Sequence, residues 1–303
     1  MRSLALSSIA PTLGQRVPIR GPARLLNRSY GKIQARPGEA VRRLTTKFGD
    51  NFEADLSSFL EWQLWVFGAY EEHMAELFRY LVGPDATCID VGANIGIHTT
   101  RLAKLVGPRG QVVAVEADEE LARRARTNIA LNHLTNVTVL HAAASDSGGD
   151  TRMLYRPSDP DSNKGRASLL PHPYLNGTAV PAPTVALDDV VHQPVALIKI
   201  DVEGHEAAVV AGARRIVAEH HPSIVFEYSP EMLGDSGSPA GWLVEQGYEL
   251  FDIRQVRHPM TGRTRLGLTQ LADLPSSATN ILAAVGPVVT RVNPLVQTRP
   301  GRS

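Results

Sequence analysis

The chain of 303 residues predicts an α/β protein: a mostly parallel sheet with helices on both faces and a helical extension ahead of it. Three observations predict it. From Thr87 onward, short apolar runs alternate with segments of helical period. The first connections are short and the strands are separated by helix-length stretches, the pattern of βαβ units. The segment "CIDVGANIGIHT", residues 88–99, runs from apolar residues through an acid and spaced glycines into a helical pattern, a common ligand-binding corner.

Taken in order, residues 55–82 read as helical with a break near Gly68. The first strand is 87–91, followed by a helix from about Ile97 to Val106. "GPRG" turns the chain into the second strand, "QVVAVE", 111–116. A helix with Leu121, Ala125 and Ile129 on one face ends near Asn132, and "VTVLH", 137–141, is the third strand. "TRMLYR" is a candidate extra strand before a long loop, 157–184, marked by Pro157, Pro160, Pro171, Pro173, Pro181 and Pro183. "VALIKIDV" is the fourth strand, a helix covers 206–218, and "SIVFEY", 223–228, is the fifth strand. After a helix near 240–246, "YELFDIR" and "NILAAVG" read as an antiparallel hairpin at one edge. The chain thus divides into a basic arm (1–54), the helical extension (55–86), the main domain (87–285) and a tail (286–303).

Composition narrows the function classes. Lys plus Arg and Asp plus Glu both number 31, a neutral balance that argues against a chain built to coat nucleic acid. The single cysteine, Cys88, excludes an internal disulfide framework, fits a reducing compartment and reads as a small buried hydrophobe. No apolar run reaches the roughly 18 residues of a membrane span, so a soluble, cytoplasmic protein with no membrane partner is expected. Basic residues crowd the start: Arg2, Arg16, Arg20, Arg24, Arg28, Lys32, Arg36, Arg42, Arg43 and Lys47 face Glu39 alone. "IRGPARLL" lacks a clean amphipathic repeat, which favours a loosely held arm over an import peptide.

The glycine loop selects its ligand by what it lacks. A dinucleotide fingerprint needs G-x-G-x-x-G, but after Gly92 the later glycine positions hold Asn94 and Ile97. What stands here is D-x-G-x-x-x-G: Asp90, Gly92 and Gly96. A carboxylate facing the crevice repels a pyrophosphate and attracts a cation. S-adenosylmethionine (SAM) carries a sulfonium and an ammonium and no phosphate. Glu116, at the end of the second strand, is placed to accept both ribose hydroxyls. Asp90 with Glu116 favours SAM.

At this point "DVGANIGIHTT", "VVAVEAD", "NIALNHL", "IKIDVEGHE" and "IVFEYSP" resemble the FkbM family of SAM-dependent methyltransferases, over roughly residues 55–285. "FGAYEEH" is similar to that family's Gly-x-Tyr-Glu segment and "NKGRASL" to its Asn-x-Gly-x-x-Ser segment. The resemblance implies the class I, Rossmann-like methyltransferase sheet of seven strands with the last antiparallel. It also implies methyl transfer to a hydroxyl oxygen of a small-molecule acceptor such as a sugar or natural product. Asp90, Gly92, Asn94, Gly96, Glu116, Ala117 and Glu71 become the candidate cofactor-binding residues. Asn163 and Ser168, in the proline-rich loop, become the candidate acceptor-binding residues, with that loop as a lid or wall.

Methyl transfer chiefly demands alignment, a contribution that reaches about 7–11 kcal/mol. A hydroxyl acceptor must also lose its proton to a base. The candidates are Asp201, Glu203 and His205 in "KIDVEGHE", with Glu227 at the end of the fifth strand. Alternation puts Lys199 on the same strand face as Asp201, as its candidate partner. D-x-E-x-H is no defined metal motif, and no metal is assigned. The alternatives are a nucleic-acid methyltransferase, disfavoured by "KIDVEG" where base-amino methylases carry a Pro-Pro segment, and a SAM-binding regulator without catalysis.

Overall fold

A run of five buried residues, Thr87–Val91 (β3), forms the middle of the sheet, and its side chains sort to opposite faces with period two. Cys88 packs with Leu197 and Val225 on one face, while Ile89 packs with Ile198, Ile224 and Phe226 on the other. The computed structural model describes residues 41–157, 167–173, 175, 177–233, 237–257 and 264–297.

In chain order the hairpin Val41–Thr45 (β1) and Asn51–Asp55 (β2) precedes helices Phe59–Phe67 (α1) and Glu72–Leu81 (α2). After β3 come Ile97–Val106 (α3), Gln111–Glu116 (β4), Glu119–Leu131 (α4) and Val137–His141 (β5). Ala143–Ala144 (β6), Thr151–Tyr155 (β7) and Ala179–Val185 (β8) form a small side sheet. Leu187–Val190 (α5) leads into Val195–Ile200 (β9), Glu206–Ala211 (α6), Arg214–His220 (α7) and Ser223–Tyr228 (β10). Ala240–Glu245 (α8), Glu249–Arg257 (β11), Thr264–Gln270 (β12), Thr279–Ala284 (β13) and Pro287–Val292 (α9) complete the chain.

The main sheet has eight strands in the order β12-β11-β13-β10-β9-β3-β4-β5. β5, β4, β3, β9 and β10 run parallel, and β13 runs antiparallel between β10 and β11. This is the Rossmann-like methyltransferase order expected, with β12 added as an eighth strand hairpinned on β11. The expected edge hairpin is corrected accordingly: β13 sits inside the sheet, and its four buried residues Ile281, Leu282, Ala283 and Ala284 suit that place. Strand order reverses at β3, which opens a crevice beyond the carboxyl ends of β3, β4 and β9.

Four other expectations change. The expected arm of 1–54 contains β1 and β2, whose Phe52 and Ala54 are buried; residues 1–40 lie outside those described. The helix expected over 206–218 is two, broken at Gly212, where a side-chain carbon would come 1.9 Å from the Ser145 carbonyl oxygen. The proline-rich loop ends in β8, whose Pro181 and Pro183 pair with β7 on one side only; β6 reaches just Thr184 and Val185. The start of the expected tail is packed, with Val292 fully buried in the α2 and α3 core.

The N-terminal elements are pinned to the sheet by charge. Asp50 pairs with Arg101 at 2.9 Å and Lys104 at 2.7 Å on α3. Buried Glu61 of α1 pairs with Arg124 of α4 and accepts the Asp55 amide at 2.6 Å. These ties hold the β1–β2 hairpin against α3 and α1 against α4.

Candidate active site

The crevice at the reversal point is a cleft of about 330 Å³. Its floor is the loop after β3. Gly92 has φ +72, and a side-chain carbon there would stand 1.8 Å from the Asp201 carbonyl oxygen. Only glycine lets the two strand ends approach so closely. Asn94 is also left-handed, φ 52, and its side chain accepts the Ile95 amide at 2.8 Å. Its own amide donates to Glu116 Oε2 at 2.7 Å, while Glu116 Oε1 accepts the Asp118 amide at 2.9 Å. Burial pushes the Glu116 carboxyl up to about 7, against the lowering effect of those two amides.

The roof comes from the junction of α1 and α2. Glu71 is left-handed at φ 43 and caps α2, and its Oε2 lies 3.0 Å from His98 Nε2. Burial opposes the Glu71 charge, but the contact with His98, then His73 and Lys199, outweighs it and holds the carboxyl below the usual glutamate range. His98 packs edge-on against Phe78 at 5.6 Å and lies 6.1 Å from the Tyr70 ring. Burial, then the charges of Glu71, Asp201, Glu227 and Glu203, raises the Tyr70 phenol well above its ordinary value.

The far wall is acidic. Asp201, Glu203 and Glu227 line the cleft beside Ser229, Ala278 and Asn280. Burial, then the charges of Asp201, Glu203 and Glu206, pushes the Glu227 carboxyl up to about 9, with a side-chain hydrogen bond to Asp201 adding to the rise. These surroundings favour the neutral form of the Glu227 carboxyl. Below them sits Lys199, buried within β9. Its ammonium is 3.3 Å from Asp90, 3.4 Å from Asp201 and donates to the Gly92 carbonyl at 3.2 Å. Burial disfavours that charge, but Asp90, Asp201 and Glu71 overcome the penalty and raise the lysine above its ordinary value.

Set against the sequence reading, Gly92, Asn94, Glu116, Ala117 and Glu71 line the cleft, as do Asp201, Glu203 and Glu227. Gly96 lies behind the lining; its φ of +87 starts α3. Asp90 does not face the ligand. It is fully buried, accepts from Thr99 at 2.6 Å and pairs with Lys199, because an acid inside a doubly covered strand needs partners. The negative field of the cleft comes instead from Glu71, Asp201 and Glu203.

His205 is turned out of the site. It is buried, with Nε2 3.1 Å from Ser145 Oγ, and burial with Arg152 pushes it down to about 4, against Asp146. Asp201, Glu203 and Glu227 therefore line the cleft without His205. Among the described residues, no group of three or more His, Cys, Asp or Glu is placed to hold a metal. Ser168 is fully buried and donates to the Glu203 carbonyl at 2.7 Å, so it fixes the turn rather than facing the cleft. Asn163 lies outside the described residues. Leu60, Leu154, Leu169 and Asn280 were missed. Asn280 stands opposite Glu227 in the β13–β10 register, which no periodicity reveals.

The donor set suits SAM. Backbone amides and carboxylates surround the cleft, no arginine is among the described lining residues, and Lys199 is already engaged. Sheet order and crevice define a Rossmann-like methyltransferase fold. Residues 90–256, more than half of the chain, match the family model described as the methyltransferase FkbM domain. The chain belongs to the FkbM methyltransferase family, and its cofactor is SAM. Over 72 residues, 24% of this chain, it is 40% identical to a protein-L-isoaspartate O-methyltransferase of Ignicoccus hospitalis, of which the match spans 32%. An FkbM methyltransferase of Methylobacillus flagellatus is 18% identical with a TM-score of 0.42, covering 67% of this chain and 44% of that one. A SAM-dependent O-methyltransferase of Thermotoga maritima is 15% identical with a TM-score of 0.41, covering 81% and 78%.

Proposed function

We propose that the protein transfers a methyl group from SAM to a hydroxyl oxygen of a small-molecule acceptor, such as a sugar or natural product. The observation that carries this reading is the Asp201–Glu227 pair in the same cleft as Glu116 and the glycine loop. Bound SAM supplies a methyl carbon activated by its sulfonium, and the C–S electron pair stays on sulfur as the new C–O bond forms.

The chain's own residues do the remainder. Glu116, Asn94, Ala117 and Glu71 would hold the cofactor, the two Glu116 oxygens keeping lone pairs for a ribose diol. Glu71 favours its positive end. Asp201, with its side chain 43% exposed, is the base that receives the hydroxyl proton. Glu227, whose neutral form its buried, acidic surroundings favour, keeps a second charge from forming beside Asp201. Among the described residues the lining holds no arginine, which suits a neutral acceptor better than a phosphate chain. The O-methyltransferase relative, matched over part of its length, transfers to oxygen by its name.

The test is incubation with methyl-labelled SAM and a panel of hydroxylated small molecules, with RNA and peptide carboxylates alongside. Label entering a hydroxylated compound, and lost in Asp201→Asn while S-adenosylhomocysteine (SAH) binding persists, supports the reading. Label found only in RNA or a carboxylate overturns it.

A further inference from the structure

Asn280 is a polar residue of the cleft that the packing of the sheet does not explain. It lies inside β13, a strand paired on both sides, where a side-chain amide is disfavoured and Val or Ile would pack. Its neighbour Thr279 is committed, donating to Asp252 Oδ1 at 2.6 Å. The Asn280 side chain is half-buried, lines the cleft and has no hydrogen-bond partner among the described residues.

The sheet register shows what stands beside it. On the face covered by α2, Lys199 of β9 pairs with Val225 of β10, and Val225 pairs with Leu282 of β13. One pleat further toward the carboxyl ends of β9 and β10, the same face carries Asp201, Glu227 and Asn280 in a row, with Glu227 directly opposite Asn280. Buried Ile253 of β11 closes the row on the far side. Ser229, two residues beyond Glu227, also lines the cleft, and its hydroxyl has no partner among the described residues. Ala278, two residues before Asn280, adds only a methyl group to the lining.

Strand order sets the distances along the cleft. Glu116 stands on β4, four strand spacings from β13, so roughly 19 Å keeps Asn280 away from the ribose that Glu116 would hold. Asp201 follows β9, two spacings from β13, roughly 10 Å. Less two hydrogen-bond lengths, that gap is about the width of one sugar-sized ring. A side-chain amide both donates and accepts without charge, which suits a hydroxyl.

We infer that Asn280, assisted by Ser229, holds a second hydroxyl of the acceptor while the hydroxyl to be methylated lies at Asp201, so that the acceptor is a ring bearing at least two hydroxyls. The inference rests on the methyl-transfer reading. Asn280 then selects among acceptors and orients the one that enters, with no part in holding the cofactor.

The experiment compares the full-length wild type with Asn280→Leu, which puts an apolar group of similar size on a strand face that accepts one. The denaturant midpoint is expected to hold or rise, since no internal bond is lost, and SAH affinity by calorimetry to stay the same. A lower midpoint, or SAH binding weakened more than about fivefold, overturns the inference by making Asn280 a structural or cofactor residue. Methyl transfer is read with methyl glucoside, methyl mannoside and methyl galactoside, each beside its single-deoxy analogues. For the glycoside that takes label, Asn280→Leu is expected to lower kcat/KM about 10–100-fold, chiefly through KM. The analogue lacking the second hydroxyl should lose as much in the wild type and nothing further in the variant. Equal turnover of the intact glycoside by both proteins overturns the inference, as does a variant loss that persists undiminished in every deoxy analogue. A wild type that labels other hydroxylated compounds but no ring diol overturns it too, and leaves the methyl-transfer reading standing. A wild type that labels no hydroxylated compound marks the failure of that reading itself, and the inference falls with it.

Discussion

Asp90 and Asp201 are the same residue type at the ends of adjacent parallel strands, joined to one lysine at 3.3 and 3.4 Å, yet they have opposite fates. Asp90 is fully buried, with one oxygen on Thr99, while the Asp201 side chain is 43% exposed and lines the cleft. Strand position does not decide a carboxylate's role. What lies beyond the strand does: α3 closes over Asp90, and the left-handed turn at Glu203 and Gly204 leaves Asp201 open. The first acid holds the floor together, and the second opens to the cleft.

The contrast is broken or sharpened by five substitutions. Asp201→Asn is expected to lower turnover by about 10²–10⁴-fold with SAH affinity nearly unchanged, read by labelled-methyl transfer and calorimetry. Asp90→Ala should instead cost about 3–5 kcal/mol of stability in denaturant unfolding, because it strands the buried Lys199. Equal stability losses at the two positions would erase the distinction. Glu116→Ala should weaken SAH by about 1.5–3 kcal/mol, since it removes acceptors from two backbone amides and from the ribose.

The fourth effect is a pH slope. Glu227 titrates at about 9 when folded against 4.5 unfolded, so between those values the folded state binds more protons and stability falls as pH rises. Glu116 and Glu206 add the same sign between 4.5 and about 7. Glu227→Gln should therefore flatten the slope above pH 7, and denaturation at pH 7 and 8.5 measures it. An undiminished slope would assign the proton elsewhere. The smallest effect belongs to His205→Asn: turnover should stay within about twofold while stability drops by about 1 kcal/mol through the lost Ser145 contact.

The donor side of the cleft was legible in the sequence because local rules decide it. β3, β4, β5 and β10 fall on the predicted residues, as does α3, since each is a short apolar run or amphipathic stretch bounded by turn residues. The failed dinucleotide pattern excluded the wrong ligand before any geometry was known. The acidic wall was only partly legible. Asp201, Glu203 and Glu227 were found at strand ends, but His205 was misplaced, because a first-turn helix position does not say which side the imidazole faces. β12 escaped notice, as did Asn280 on β13, because antiparallel register is set by pairing across the sheet and not by the strand's own sequence. Lys199 was recognised as a partner for Asp201, yet its reach to Asp90 and Gly92 is a property of three segments meeting.

The most direct test of the central claim, that this cleft holds SAM and not a dinucleotide, is calorimetric titration of the purified chain with SAH, with NADH as control and Glu116→Ala alongside. Binding of SAH alone, weakened in the variant, is the predicted result. Binding of NADH in preference, or of neither ligand, would contradict the account.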